Sequence, residues 1–325
     1  KTPATIIKLP TQFFIDPNNM NRWLIIWLVF LATPVQSAEL KALPVTEIAS
    51  GVFVHFGKHQ IPDTNNHGAI ANIGFIIGEK CIAVIDTGGN PQQGRALIKA
   101  IRKRSTLSIC YVINSHVHPD HIFGNSAFKA PGVKFVGHRK LTRAMQLRSA
   151  FYLARAEEQI GVKLKSSDIV LPDMHVKDQL ELNLGNRKLI LTAHPTAHTD
   201  NDLSVYDVKT DTLWLSDLLF LEHLPVIDGS LKGWLRELER LEKRPVKIVV
   251  PGHGPVVTDW PKSLQAQKAY LQMLLEEVRI MISDGQTIQQ AIDTVGLQAK
   301  HKWRLFDQFH RKNVTTAFAE LEWED

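Results

Sequence analysis

Within six residues, His116-Val117-His118-Pro119-Asp120-His121, this chain places three imidazoles and a carboxylate just after the apolar run Ile109–Ile113. Such a run reads as a buried strand, and a strand that ends in a loop dense with nitrogen and oxygen donors presents them to a metal. His116 and His118 are two apart, so an extended backbone points both rings the same way. Asp120 and His121 lie beyond a proline, in a turn, where they can face a second point a few ångströms off. That geometry suits two adjacent cations better than one. A solvated, His-rich turn would explain the hexad taken alone, but not the recurrence of metal-capable residues downstream.

Those residues follow in order. His198 comes after the apolar strand Leu189–Ala193, Asp217 after Leu213-Trp214-Leu215-Ser216, and His253 after Val246–Val250, within Pro251-Gly252-His253-Gly254. Each sits at the C-terminal end of an expected strand, where sites of α/β sheets gather. Neither a Gly-x-Ser-x-Gly nucleophile elbow nor a glycine-rich phosphate loop competes with this constellation.

His-x-His-x-Asp-His, then His, then Asp, then Gly-His-Gly resembles the metallo-β-lactamase superfamily, from about Val45 to the C-terminus. Several stretches resemble the quinoprotein relay system zinc metallohydrolases: Ile73-Gly74-Phe75-Ile76, Val84-Ile85-Asp86-Thr87-Gly88-Gly89, Cys110-Tyr111-Val112-Ile113-Asn114, Pro195-Thr196-Ala197-His198-Thr199-Asp200, Asp228-Gly229-Ser230-Leu231-Lys232-Gly233-Trp234 and Asn313-Val314-Thr315-Thr316-Ala317-Phe318. The resemblance implies a ligand set. His116, His118 and His198 would hold one metal, Asp120, His121 and His253 a second, and Asp217 would bridge them. His116, His118 and Asp120 would be the catalytic core, and the metals two Zn2+, although His and Asp donors also accept iron or manganese. A bridging carboxylate is more like the glyoxalase-II and lactonase branches than true metallo-β-lactamases. Ser216 departs from the pattern, standing where a glycine usually precedes this aspartate.

The implied activity is hydrolysis of an ester, thioester, lactone or amide-like bond by a hydroxide shared between two metals. β-Lactam turnover is an alternative, as main or side activity. Others are an iron-dependent redox relative of the persulfide dioxygenase or flavodiiron type, and a non-catalytic metal-binding accessory protein. Structural zinc sites are usually closed and rich in cysteine, and this donor set has no thiolate. Asp86, ending a buried strand, is a candidate to orient a ligand imidazole; capping the turn before the following helix is its other reading. His67 and His223 are candidates for the substrate pocket, with His59 in the same polar loop as His67.

Met20-Asn21-Arg22, the apolar run Trp23–Ala32 and the small residues near Ala38 have the order of a secretory signal peptide. The expected organisation is therefore an upstream extension (1–19), a signal peptide (20–38), a metallo-β-lactamase-fold domain (39–258) and a helical appendage packed on it (259–325). The protein is expected in the periplasm or outside the cell, without stable membrane association once the signal is removed. Lys1, Lys8 and Arg22 stand against Asp16 in residues 1–38, so the net charge of +5 falls to about +3 without them. With no dense basic stripe, nucleic acid is not an expected partner. A small-molecule substrate is, and the resemblance adds a periplasmic quinoprotein dehydrogenase as context. Cys81 and Cys110 each start an apolar strand; an oxidising compartment permits pairing, and two buried thiols remain the other reading.

The chain shows two β-rich halves, each carrying helices. Expected strands are Val45–Phe56, Ala69–Ile77, Cys81–Ile85, Ile109–Ile113, Val133–Val136, then Leu180–Leu184, Lys188–Thr192, Leu203–Asp207, Thr212–Leu215 and Val246–Val250. Helices are expected over Pro91–Arg104, Leu141 to about Gly161, Leu231–Leu241 and, capped by Asp259, on to about Ser283. Two such halves suit a layered α/β sandwich; the resemblance implies four layers, αββα, with C-terminal helices.

Overall fold

Gly51 turns the first apolar segment back on itself. Val45–Phe56, expected as one strand, is a hairpin of β1 (Thr46–Ala49) and β2 (Val52–His55), with Gly51 at φ +70°, a conformation glycine takes without steric cost. The structure is a computed structural model that describes residues 40–324; the expected extension and signal peptide lie outside the described residues. From β2 the chain continues into β3 (Ile73–Ile77) and β4 (Ile82–Ile85), all antiparallel. The crossover helix α1 (Pro91–Arg102) then makes β5 (Ile109–Ile113) parallel to β4. Asn90 caps α1 by accepting from Gln93 N (2.8 Å), and Pro91 opens it.

After β5 comes the ligand hexad, with one turn of helix, α2 (Pro119–Ile122), then β6 (Lys134–His138), α3 (Leu141–Ile160) and a short β7 (Met174–Val176) that sequence patterning misses. These complete a seven-stranded sheet in chain order, β1 to β7. The second sheet holds β8 (Gln179–Asn183), β9 (Lys188–Ala193), β10 (Leu203–Asp207), β11 (Thr212–Phe220) and β12 (Ile248–His253), with α4 (Leu231–Leu241) crossing between the last two, which are parallel. α5 (Gln265–Ser283), α6 (Ile288–Thr294) and α7 (Phe306–Leu321) follow. Asp259 does not cap α5: a 3-10 turn, Lys262–Leu264, uses up the intervening residues with bonds from Lys262 N to Asp259 O and Leu264 N to Pro261 O, so the helix starts at Gln265.

Strand alternation builds the layers. Ala83 and Ile85 face the second sheet with Val54, Ile113, Leu191, Val205 and Trp214. Their neighbours Ile82 and Val84 face the other way, onto Leu97 and Ile101 of α1. On the far side, Leu213 and Leu215 pack with Trp234 of α4, Tyr270 and Leu274 of α5, and Val314 and Phe318 of α7. The order is α1, sheet, sheet, α4/α5/α7, the expected αββα sandwich with its C-terminal helices in the outer core. Each fully buried Leu or Ile contributes roughly 1.5–3 kcal/mol relative to exposure. Cys81 and Cys110, at the start of neighbouring strands, are joined in a disulfide.

Two strands run further than their apolar patterns indicate. β11 continues past Leu215 through Ser216 and Asp217 to Phe220, and β12 through Pro251 to His253, with register shifts between them at Trp214/Ser216 and Ser216/Phe220. Asp217 and His253 are thus held on paired strands rather than on loops.

Candidate metal centre

Pro119 divides the hexad. The residue before a proline is driven to extended backbone, and His118 has φ −67°, ψ 145°; α2 then turns Asp120 and His121 to the other side. The result is two convergent groups, His116 with His118, His198 and Asp217, and Asp120 with His121 and His253. In the first, His118 Nδ1 lies 3.0 Å from His116 Nε2 and 3.1 Å from His198 Nε2. In the second, Asp120 Oδ2 is 3.6 Å from His121 Nε2 and 3.5 Å from His253 Nε2. Asp217 stands between them: its Oδ2 is 3.7 Å from His116 Nε2, 3.4 Å from His198 Nε2 and 3.5 Å from His253 Nε2, and its Oδ1 is 3.1 Å from His121 Nε2. Ligands at about 2.0–2.2 Å around a tetrahedral cation sit roughly 3.3–3.6 Å apart. His121 Nε2 and Asp217 Oδ1 are buried yet make no hydrogen bond, as donors awaiting a cation do. Neutral imidazole and carboxylate without thiolate is a donor set for divalent ions. The residues present fit a dinuclear metal site.

Most ligand rings are pinned from behind, which fixes tautomer and pose. His116 Nδ1 meets Ser115 Oγ at 3.0 Å, His118 Nε2 donates to Asp228 Oδ2 at 3.0 Å, His198 Nδ1 to the Val226 carbonyl at 2.7 Å, and His121 Nδ1 to Asp86 Oδ2 at 2.8 Å. Asp86 also accepts from Ser115 N (2.8 Å) and Ser115 Oγ (2.7 Å). It thus fixes the pose of the His121 ring, while the cap of α1 belongs to Asn90. Asp228 is held by Arg148 Nη1 at 2.5 Å.

The two groups differ in charge. Burial, then His121, holds His116 well below the usual imidazole range, and burial pushes His198 down to about 3 against the attraction of Asp217. In the second group burial again disfavours charge, but Asp217 and Asp120 outweigh it. His121 lies well above the usual range, with Asp86 contributing, and His253 is raised to about 9. Near pH 7 the first group therefore offers neutral His116 and His198, the second two charged rings. Uptake of a divalent cation by the second group should release about two protons, and its affinity should climb as pH rises through the His253 value of about 9. Calorimetric titration in buffers of different ionisation enthalpy reads this; equal release from both groups would contradict it. His253 also sets a stability expectation for the metal-free protein. A folded pKa of about 9 against an ordinary 6.5 gives stability present in full below about 6.5 and lost as pH rises through 9.

Glycine is required in Pro251-Gly252-His253-Gly254 for a steric reason. A Cβ at Gly252 would fall 1.8 Å from Asp217 Oδ1 and 2.8 Å from Asp217 N. Gly252→Ala is expected to displace Asp217 and lower metal content per chain, measured by elemental mass spectrometry; unchanged content would show that β12 can move aside. At Ser216, φ is +49°, costing an L-residue about 1–2 kcal/mol, which explains why glycine suits the position. The serine regains part of that cost through Oγ, 2.8 Å from Ser115 Oγ and 3.3 Å from Asp86 Oδ2.

His223 is buried with its ring 5.0 Å from that of His253, its Nδ1 donating to Leu224 O at 2.6 Å, and His59 reaches Glu222 Oε2 at 3.5 Å on the same side. His67 is exposed, bonded through Nδ1 to Ile160 O (2.8 Å); its neighbour Gly68, with Asp120, Phe123, Tyr152 and Ile160, lines a cavity of about 70 Å³ beside the metal ligands. A cavity of about 510 Å³ against Tyr270, Met273 and Trp303 contains none of the ligands. Sequence reasoning missed Arg148, Tyr152, the role of Asp228 and the Val226 carbonyl. Asp228 lay within a stretch that carries the family resemblance; an arginine on a mixed helix and a main-chain carbonyl give no pattern.

A family model described as the metallo-beta-lactamase superfamily matches residues 68–253. The metallo-beta-lactamase type 2 of Bacillus sp. (strain 170) is 22% identical over 229 residues, covering 67% of this chain and 79% of that protein. Among solved structures, a metallo-beta-lactamase from Pontibacter korlensis superposes with a TM-score of 0.58 at 22% identity, over 71% of this chain and 99% of its own. The stereoselective inverting sec-alkylsulfatase Pisa1 from Pseudomonas sp. gives 0.68 at 16% identity, over 87% and 51%. At these identities the solved structures speak for the fold alone.

Proposed function

This chain belongs to the metallo-β-lactamase superfamily, a metal-dependent hydrolase by its relatives, and from that premise we propose a dinuclear zinc enzyme. Its substrate is a small molecule with an ester, thioester, lactone or amide-like bond. The observation that carries the reading is Asp217, whose two oxygens reach His116 and His198 of the first group and His121 and His253 of the second. When bound, such metals lower the pKa of water to about 7 and polarise the scissile carbonyl. The chain's own residues supply the rest. Asp120 is the more open of the two ligand carboxylates and borders the small cavity, so the second metal group lies beside the space open to a substrate. Phe123, Ile160 and Tyr152 give that cavity apolar walls that exclude water from the reacting group. Burial raises the Tyr152 phenol despite Arg148, which keeps its hydroxyl a donor.

The placement is proposed on sequence grounds. The signal-like order of residues 20–38 supports export to the periplasm, and the stretches resembling quinoprotein relay hydrolases support a role beside a quinoprotein dehydrogenase. The β-lactamases among the relatives make β-lactams a second substrate class to test. Elemental mass spectrometry of the purified protein, paired with thioester, lactone and β-lactam panels before and after chelation, tests the reading. About two zincs per chain with chelator-sensitive hydrolysis supports it; one iron per chain and no hydrolysis overturns it.

A further inference from the structure

Between β11 and α4 the chain runs through residues 221–230, which form neither helix nor extended strand. This segment supplies the outer partner of two metal ligands, the Val226 carbonyl for His198 and the Asp228 carboxylate for His118. Its order comes from α7. Asn313, fully buried, donates from Nδ2 to Pro225 O (2.7 Å) and accepts at Oδ1 from Ile227 N (2.9 Å). One carboxamide thus brackets Val226 as a neighbouring strand would. Seven residues on, which is the same helix face, Glu320 accepts from Ser230 Oγ (2.6 Å) and Leu231 N (2.6 Å). α5 repeats the device on the next stretch: Gln267, also fully buried, accepts from Phe220 N (2.7 Å) and donates to Leu218 O (2.9 Å), just beyond Asp217. Asn313 Nδ2 further reaches Tyr270 Oη of α5 (3.1 Å).

We infer that the C-terminal helices are a working part of the metal centre, and that Asn313 is a positioning residue that sets the Val226 carbonyl and, through it, the His198 ring. The alternative role, attaching α7 to the core, falls to apolar residues such as Val314 and Phe318. A carboxamide is needed because the bracket requires one donor and one acceptor side by side. Asn313→Asp keeps the acceptor and the size but loses the donor to Pro225 O.

The inference rests on the dinuclear reading above, and the test separates the two. Zn2+ affinity of the full chain is measured by chelator competition, with the Co2+ absorption spectrum and the melting temperature of the metal-free protein, for wild type, Asn313→Asp and Val314→Ala. Outer partners of metal ligands are typically worth 10–100-fold in affinity. Asn313→Asp should weaken one of the two binding steps by about 10–100-fold and shift the Co2+ bands. Val314→Ala should lower the melting temperature and leave both unchanged. Equal affinities in the two variants would overturn the role of Asn313. Should Asn313→Asp not fold, Asn313→Ser removes the bracket without adding charge and is judged the same way. A wild type that binds neither ion would overturn the hydrolase reading itself.

Discussion

Asp217→Asn is expected to lower turnover by at least about 10²–10³-fold, the scale of losing one electrostatic stabiliser in an active site, and to reduce metal content from about two per chain to one or fewer. The exchange preserves shape, so β11 and its pairing with β12 should persist; what disappears is the negative charge between the two groups. Asp217 is the foremost charge raising His121 and His253. Without it both rings lose protons at lower pH, so the metal-free variant should shed the stability those charged rings give earlier as pH rises. Turnover against pH and metal content by elemental mass spectrometry check the prediction. A variant that keeps two metals and near-normal turnover would mean that Asp217 is a spectator and that Asp120 alone serves as ligand carboxylate.

Asp86→Ala should cost the fold itself. Asp86 is fully buried and accepts from Ser115 N, Ser115 Oγ and His121 Nδ1. Its removal strands a backbone N–H and an imidazole N–H with no water to replace the carboxylate. Breaking a buried charged network of this kind costs about 3–5 kcal/mol, and freeing the His121 ring lowers metal affinity by about 10–100-fold. Denaturant unfolding reads the first effect and chelator competition the second. Asp86→Asn separates them, since asparagine tolerates the φ of +54° found here and keeps an acceptor for Ser115 N. Stability should then recover more than metal affinity, because an amide cannot hold the His121 ring as a carboxylate does. Full recovery of both would reduce Asp86 to a turn former.

Much of the site was legible because ligand chemistry is local and residue-specific. His116, His118, Asp120 and His121 lie within six residues, and the proline among them already implied two directions. His198, Asp217 and His253 were legible as polar residues at the ends of apolar runs. Strand ends were harder. β11 and β12 were expected to stop at Leu215 and Val250, because hydrophobic patterning ends where polar residues enter the core to face a metal. Capping by Asp259 failed for a similar reason: local chemistry was sound, but neighbouring residues closed a tighter turn first.

By itself the sequence determined the candidate donors and the likeness to a hydrolase family, since these follow from residue type and short spacings, and the αββα layering was expected only through that likeness. Only the tertiary structure decided what holds the donors in place. The Asp228 carboxylate, the Val226 carbonyl and the Asn313 carboxamide come from segments 28 to 115 residues from the His118 and His198 rings they serve. Backbone carbonyls carry no signature of their own, and a buried asparagine earns its role from the two main-chain groups it meets. Those meetings exist because the outer helices pack against the second sheet, which bury their polar bracket along with their apolar face.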